Sequence, residues 1–314
     1  MLYNGQVLIG AVQSADLGGI TIDDIDMKLI NIKLFRIRVL KIKERFKIET
    51  VEKGIFYGTL KTSSKGGWID IMAGGEVKTS LPIVDIFQLI SLEKDFLRRL
   101  NGNVSAGFSY TKSSSIGQFN ISAAVQYATK LFDYNLQASS IASIDSSGFS
   151  RDNENILFIT SYDLSPIWFL AGAAQYQRNL ELSIARRYLF LTGIGNKLFI
   201  KKTWRLMATT GMTFSQEKST ANVSSGLLFE IPLMFQFNFY QFRNPDIQIS
   251  STQTAYLSLS QAGRVRWDGN ITFSWQLIRF FYLNINPYTN FDNQPPGDGS
   301  KFDYGIVVGL SYKF

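Results

Sequence analysis

Three short constellations in this chain carry residue types that could do chemistry. Asp23-Asp24 with Asp26 offers carboxylates to a divalent cation, but the spacing is not that of a calcium loop and no Glu closes it; it reads as a turn. Gly193-Ile194-Gly195 offers backbone N–H groups to a phosphate, yet lacks a third glycine and a following helix, so it reads as a strand or turn feature. The third is a basic strip. Between Lys28 and Lys53 stand nine basic residues against Glu44, Glu49 and Glu52, within a chain whose net charge is +7, so the remainder is nearly balanced. Such a strip suits nucleic acid, anionic lipid or an acidic polymer, or simply solvates an exposed face. The chain has no Cys and no His. That removes disulfides, zinc fingers, Cys or Ser–His nucleophiles and imidazole bases. Nothing points to an aspartyl or Ser–Lys arrangement. The expectation is a protein that is not an enzyme and that needs no cofactor or metal.

The elements that must position these residues fall into two halves. The 314 residues are 45% hydrophobic, with a mean hydropathy of +0.01. That composition is neither a disordered chain nor a helical membrane protein, and no run approaches 18 uninterrupted apolar residues. Met1 to Gly10 carries no secretory signal. Residues 1–100 contain a repeat: Gly10 and Gly58 each follow a short apolar run, and Gly18-Gly19 and Gly66-Gly67 lie at matching distances beyond them. Two small all-β modules are expected, 1–48 and 49–100, packed together because each is marginal alone, the second ending in a short helical linker over Leu92 to Leu100.

From Asn103 onward the pattern is long, strict alternation. One face of Arg264 to Leu277 is Val265, Trp267, Gly269, Ile271, Phe273, Trp275 and Leu277; Arg264, Arg266, Asp268 and Asn270 stand opposite. Phe302 to Phe314, Phe281 to Asp292 and Val223 to Phe239 repeat it. A period of two sends alternate side chains to opposite faces of a sheet. Runs this long, apolar on one face and polar on the other, suit tilted strands in a bilayer, where closure into a barrel satisfies every backbone group. A large soluble β-sandwich is the alternative. Strands are expected near 103–111, 117–128, 132–143, 154–163, 166–177, 182–199, 204–215, 222–242, 246–259, 264–277, 279–292 and 302–314. The fold class is therefore all-β: about twelve antiparallel strands forming an outer-membrane barrel over 101–314, behind two small β modules. Tight turns at Lys130-Leu131, Ser165-Pro166, Asn244-Pro245 and Leu277-Ile278 alternate with longer polar loops at Thr111 to Gly117, Ile144 to Asn155, Ser215 to Asn222 and Asp292 to Lys301. An even strand number leaves both barrel ends at the periplasmic rim, with the modules in the periplasm.

Strand phase then assigns the faces. Arg205, Glu230, Arg264, Arg266 and Asp268 are expected in the lumen, either pairing to plug it or lining a narrow polar passage. Trp267, Phe273, Trp275, Tyr304, Ile306, Leu310 and Tyr312 are expected to face lipid. The strip Lys33, Arg36, Arg38, Lys41, Lys43, Arg45 and Lys47 is expected to dock on an acidic surface or to solvate exposed strands. Gly211, Gly305 and Gly309 would leave room for a passage.

Four segments of the second half stand out: Gly102 to Tyr110, Leu164-Ser165-Pro166-Ile167-Trp168-Phe169-Leu170, Phe291-Asp292-Asn293-Gln294-Pro295-Pro296 with Asp303, and the closing Gly309 to Phe314. Through them the second half resembles a family named for salt-induced outer-membrane proteins, of unknown biochemical function. The resemblance covers about Gly102 to Phe314. Where the family has Asn-Thr after the first strand, this chain has Lys112-Ser113-Ser114. The N-terminal repeats resemble the small SH3/Sm-like β modules that precede this barrel. The closing Tyr312 and Phe314 resemble the signal read by the bacterial barrel-assembly machinery. The resemblance implies a Gram-negative outer membrane and supplies no catalytic motif. Implied partners are outer-membrane lipid, the assembly machinery, and another envelope protein or peptidoglycan at residues 1–100; the compartment excludes nucleic acid. Two functions compete: an accessory or structural envelope component with a closed barrel, and a narrow channel or transporter for ions or small osmolytes.

Overall fold

The computed structural model describes the whole chain except residues 17, 25–27, 52–53, 93–99, 112–115, 130, 147, 181–182, 242–244, 279–280, 296–299 and 313–314. The expected linker helix falls on 93–99, outside the described residues, as does Phe314. The chain is all-β, in two sheets: one of eight strands and one of twelve.

The first sheet comprises β1 (Gly10–Asp16), β2 (Gly19–Asp24), β3 (Lys28–Lys33), β4 (Ile42–Thr50), β5 (Ile55–Thr62), β6 (Trp68–Ala73), β7 (Glu76–Pro82) and β8 (Ile86–Ser91). Short 3-10 turns, Leu34–Arg36 and Ile83–Asp85, precede β4 and β8. The repeat is visible atom by atom. A Cβ on Gly10 would lie 2.2 Å from the Asp23 carbonyl oxygen, and one on Gly58 would lie 1.8 Å from that of Met72. Only glycine lets those strand pairs approach so closely. Leu34 donates its N–H to Gly18 O, and Ile83 donates its own to Gly67 O, both glycines having positive φ.

The two copies are not separate modules. The strand order is β3-β2-β1-β8-β4-β5-β6-β7, so the last strand of each copy pairs with the first strand of the other. β4 therefore runs across the expected 48/49 boundary. One core serves both copies, with Ile20, Phe46, Ile48, Leu60, Ile69, Ile71, Ile86 and Leu89 all at most 1% exposed. Each copy alone would leave that core half-covered, which is the physical reason for the exchange.

The second sheet is a meander in which each strand pairs antiparallel with the next. Its strands are β9 (Leu100–Thr111), β10 (Ile116–Ala128), β11 (Phe132–Asp145), β12 (Gly148–Asp163), β13 (Trp168–Asn179), β14 (Ile184–Ile200), β15 (Trp204–Ser219), β16 (Ser224–Gln241), β17 (Ile247–Ser258), β18 (Val265–Ile278), β19 (Phe281–Asp292) and β20 (Phe302–Tyr312). Among the described residues no pairing joins β9 to β20. The expected loop at Ile144 to Asn155 is instead almost entirely strand, because β11 and β12 extend to a tight hairpin at Asp145 and Gly148. The expected loop at Ser215 to Asn222 shortens for the same reason, with β15 running to Ser219. Local polarity suggests a loop at both places, but a strand with one watery or polar face needs no apolar run.

The sheet curls around its polar face. On a flat sheet, strands three places apart stand about 14 Å from each other. Yet Leu189 and Leu191 on β14 pack with Tyr256 on β17, all at most 8% exposed. Glu217 on β15 likewise reaches Arg264 at the start of β18. The opposite face is bare: Phe190, Leu227, Leu257, Trp267, Tyr304 and Ile306 are 40–69% exposed.

Candidate functional site

Charged side chains gather at the two ends of this curled sheet. The far end carries the connections 180–183, 220–223, 259–264 and 293–301; the near end carries 129–131, 164–167, 201–203 and 242–246.

At the far end, Arg266 forks onto Glu230, with Nε donating to Oε1 at 2.8 Å and Nη2 to Oε2 at 2.6 Å. The guanidinium also lies 4.5 Å from the ring centre of Tyr256. Arg264 grips Asp292 at 2.5 and 3.1 Å and Gln261 at 2.9 Å, and reaches Glu217 at 3.4 Å. Arg187 closes the group, 3.1 Å from Glu217 and 3.0 Å from Gln177. Arg264, Arg266 and Glu230 are at most 2% exposed. Asp268 shares their face and lines the remaining space with Gln177, Arg187 and Asp303, a cavity of about 50 Å³. That is room for a few waters, not for a solute.

Arg205 belongs to the near end. Its guanidinium lies 5.1 Å from the ring of Phe87 on β8, a contact between the two sheets. The same end carries a ring of alternating charge. Lys47 Nζ meets Asp163 and lies 3.4 Å from Glu49; Lys197 Nζ lies 3.1 Å from Glu49 and 3.4 Å from Asp163. The four side chains are at most 11% exposed. Ser165 places the acidic member: its Oγ accepts the N–H of Ile167 at 3.3 Å and of Trp168 at 3.0 Å, fixing the turn after Asp163. Burial alone would lower the Lys47 pKa, but Glu49, Asp133 and Asp163 hold it above the ordinary lysine value. Its contribution to stability is therefore fully present below that ordinary value and fades only as pH rises through the higher folded one. Lys33 pairs with Asp246, and Lys202 lies 2.8 Å from Asp85.

The basic strip thus has two fates. Its ends, Lys33 and Lys47, turn onto the near rim of the same chain. Arg36, Arg38, Lys41, Lys43 and Arg45 remain exposed. On the outer face Trp267 and Trp275 are 40% exposed and Phe273 is half-buried, beside the bare Tyr304 and Ile306. Tyr312 ends β20 opposite Phe281, and Leu310 pairs with Leu283; the side chains of Leu310 and Tyr312 lie outside the described residues. Two of the glycines expected to open a passage, Gly305 and Gly211, do not leave space. Gly305 sits under the Tyr288 ring, and Gly211 faces Gly193 with the Thr192 carbonyl 2.1 Å from where a Cβ would be.

Sequence reasoning missed Asp133, Asp163, Arg187, Lys197, Glu217 and Asp292. The signal was available for five of them, since Asp133, Arg187, Lys197, Glu217 and Asp292 have the inward phase of their strands. Asp163 abuts a turn, where phase says little.

Among curated proteins none matches the chain. A solved structure described as "Crystal Structure of Pseudomonas aeruginosa OccK11 (OpdR)" aligns over 86% of this chain and 83% of its own, at 12% identity and a TM-score of 0.28. A superposition that loose carries no argument. The family described as "Protein of unknown function, DUF481" matches residues 104–314, the whole twelve-stranded sheet but its first few residues. The protein is therefore a member of the DUF481 family.

Proposed function

We propose that the protein is an integral outer-membrane β-barrel with a closed interior. It acts as an accessory or structural component of the envelope, without catalysis or cofactor. The observation that carries this reading is the filling of both ends: paired arginines and carboxylates at one, the N-terminal sheet locked on by charge at the other. The bare apolar outer face supports a lipid environment, since monomeric soluble proteins do not leave a belt of this extent uncovered. Contact of the N-terminal sheet with the near end, where both ends of an even-stranded barrel would emerge, supports a periplasmic position for it. There it would hold another envelope protein or peptidoglycan, while biogenesis would run through the barrel-assembly machinery reading Tyr312 and Phe314. The resemblance to salt-induced outer-membrane proteins suits an envelope component made under osmotic stress, and the resemblance to SH3/Sm-like modules suits a docking role.

Two measurements test the reading. Purified full-length protein in planar bilayers should give no reproducible conductance; stable ion-selective steps would mean a channel for ions or osmolytes instead. Ile306, 65% exposed mid-strand, should tolerate Arg badly. A charge on the lipid face near the midplane costs about 2–4 kcal/mol, so Ile306→Arg should lower the folded fraction seen as heat-modifiable migration on gels. Unchanged assembly would argue for a soluble sheet.

A further inference from the structure

The face of the first sheet that meets the barrel does not end at the rim. Lys47 and Tyr57 are register partners on β4 and β5, and Lys47 turns onto the rim. Continuing along the same two strands, Lys41, Lys43 and Arg45 on one side and Lys61 on the other line a groove of about 570 Å³ with Tyr57. The groove is built rather than incidental. Between Ile42 and Phe46 the pairing of β4 with β5 slips, so that Lys43 and Arg45 stand out of the ladder. No carboxylate lines it, and none of the four cations forms an ion pair with a described residue. Asp70, opposite Lys61, is held by Ser80 at 2.5 Å.

We propose that this groove binds the phosphate-bearing headgroup of an anionic phospholipid in the leaflet beside the near rim. The inference rests on the outer-membrane reading above and adds to it a ligand class and a site. A face that continues past a barrel rim looks back at the membrane surface, and four cations without an ion-pair partner among the described residues match the charge found there. Tyr57 supplies an amphipathic ring at the depth where headgroup meets acyl chain. Exposed ammonium and guanidinium groups make such an interaction salt-dependent, because it is screened beyond about 8 Å at physiological ionic strength.

The test uses the full chain in nanodiscs of equal parts phosphatidylglycerol and phosphatidylcholine, with retained lipid counted by native mass spectrometry. The wild type should retain phosphatidylglycerol over phosphatidylcholine, and K41E/K43E/R45E should lower that preference at least tenfold. The charge-neutral K41Q/K43Q/R45Q should fall between, which guards against a folding defect of the reversed variant. Equal retention of both lipids by the wild type, or an unchanged preference in both variants, overturns the proposal. So does equal displacement of the lipid by the same concentration of inorganic phosphate, which would make the groove a free-anion site. Heat-modifiable migration of each sample is read in parallel. Insertion without lipid preference removes the groove alone, whereas failure to insert removes the membrane reading and this proposal with it.

Discussion

Replacing Lys47 by Ala is expected to loosen the N-terminal sheet from the twelve-stranded sheet by about 3–5 kcal/mol, the range for stripping one partner from a buried ion pair. Lys47 is fully buried, and its ammonium is one of two facing Glu49 and Asp163. With it gone, Lys197 alone must balance both carboxylates in a place water reaches poorly. Hydrogen exchange of β4 and β8 in the full chain should then accelerate by about two orders of magnitude or more. Lys202→Ala is the contrasting variant, because its pair with Asp85 is solvent-exposed on the lysine side. An exposed pair contributes about 0–1 kcal/mol. Lys47→Ala behaving no worse than Lys202→Ala would remove the idea of a charge-locked rim.

Glu230→Ala should cost a similar amount for a different part of the molecule. The carboxylate is 1% exposed and takes both forks of the Arg266 guanidinium, which is itself 2% exposed. Without it a buried cation loses its bidentate partner and keeps only the face of Tyr256 and the more distant charges of Asp268 and Glu217, and about 3–5 kcal/mol should be lost in equilibrium unfolding. The informative companion is Glu230→Met with Arg266→Met. If the pair's role is to fill the interior, two apolar chains of similar volume should restore most of the loss, since a buried ion pair stabilises little beyond its hydrophobic replacement. A double variant as unstable as the single one would mean that the charges also hold Asp268 and Glu217 in place.

Much of the molecule was legible as pattern. The alternation of Trp267 with Arg266 and Asp268, or of Tyr304 with Asp303 and Gly305, is a local property of an extended chain, and it located all twelve strands to within a few residues at most ends. The same phase placed Glu230, Arg264 and Arg266 on the buried face and Trp267 on the bare one. Where polarity and strand coincided, as at Ile144 to Asn155, local reading failed, because a hairpin with a polar tip and one polar face offers no apolar run to mark it as strand.

The amino-acid order alone determined the all-β class, the twelve-strand count, the two faces of each long strand and the absence of histidine and cysteine chemistry. It also displayed the glycine repeat of the first hundred residues. Only the tertiary structure decided that the two copies exchange their last strands into one sheet, and that Lys33 and Lys47 belong to the rim while Lys41, Lys43 and Arg45 do not. It alone matched Arg266 with Glu230 and Lys47 with Asp163. The reason is range: a period of two is written in neighbours and survives any fold. Which lysine meets which carboxylate depends on curvature, strand order and a turn more than a hundred residues away.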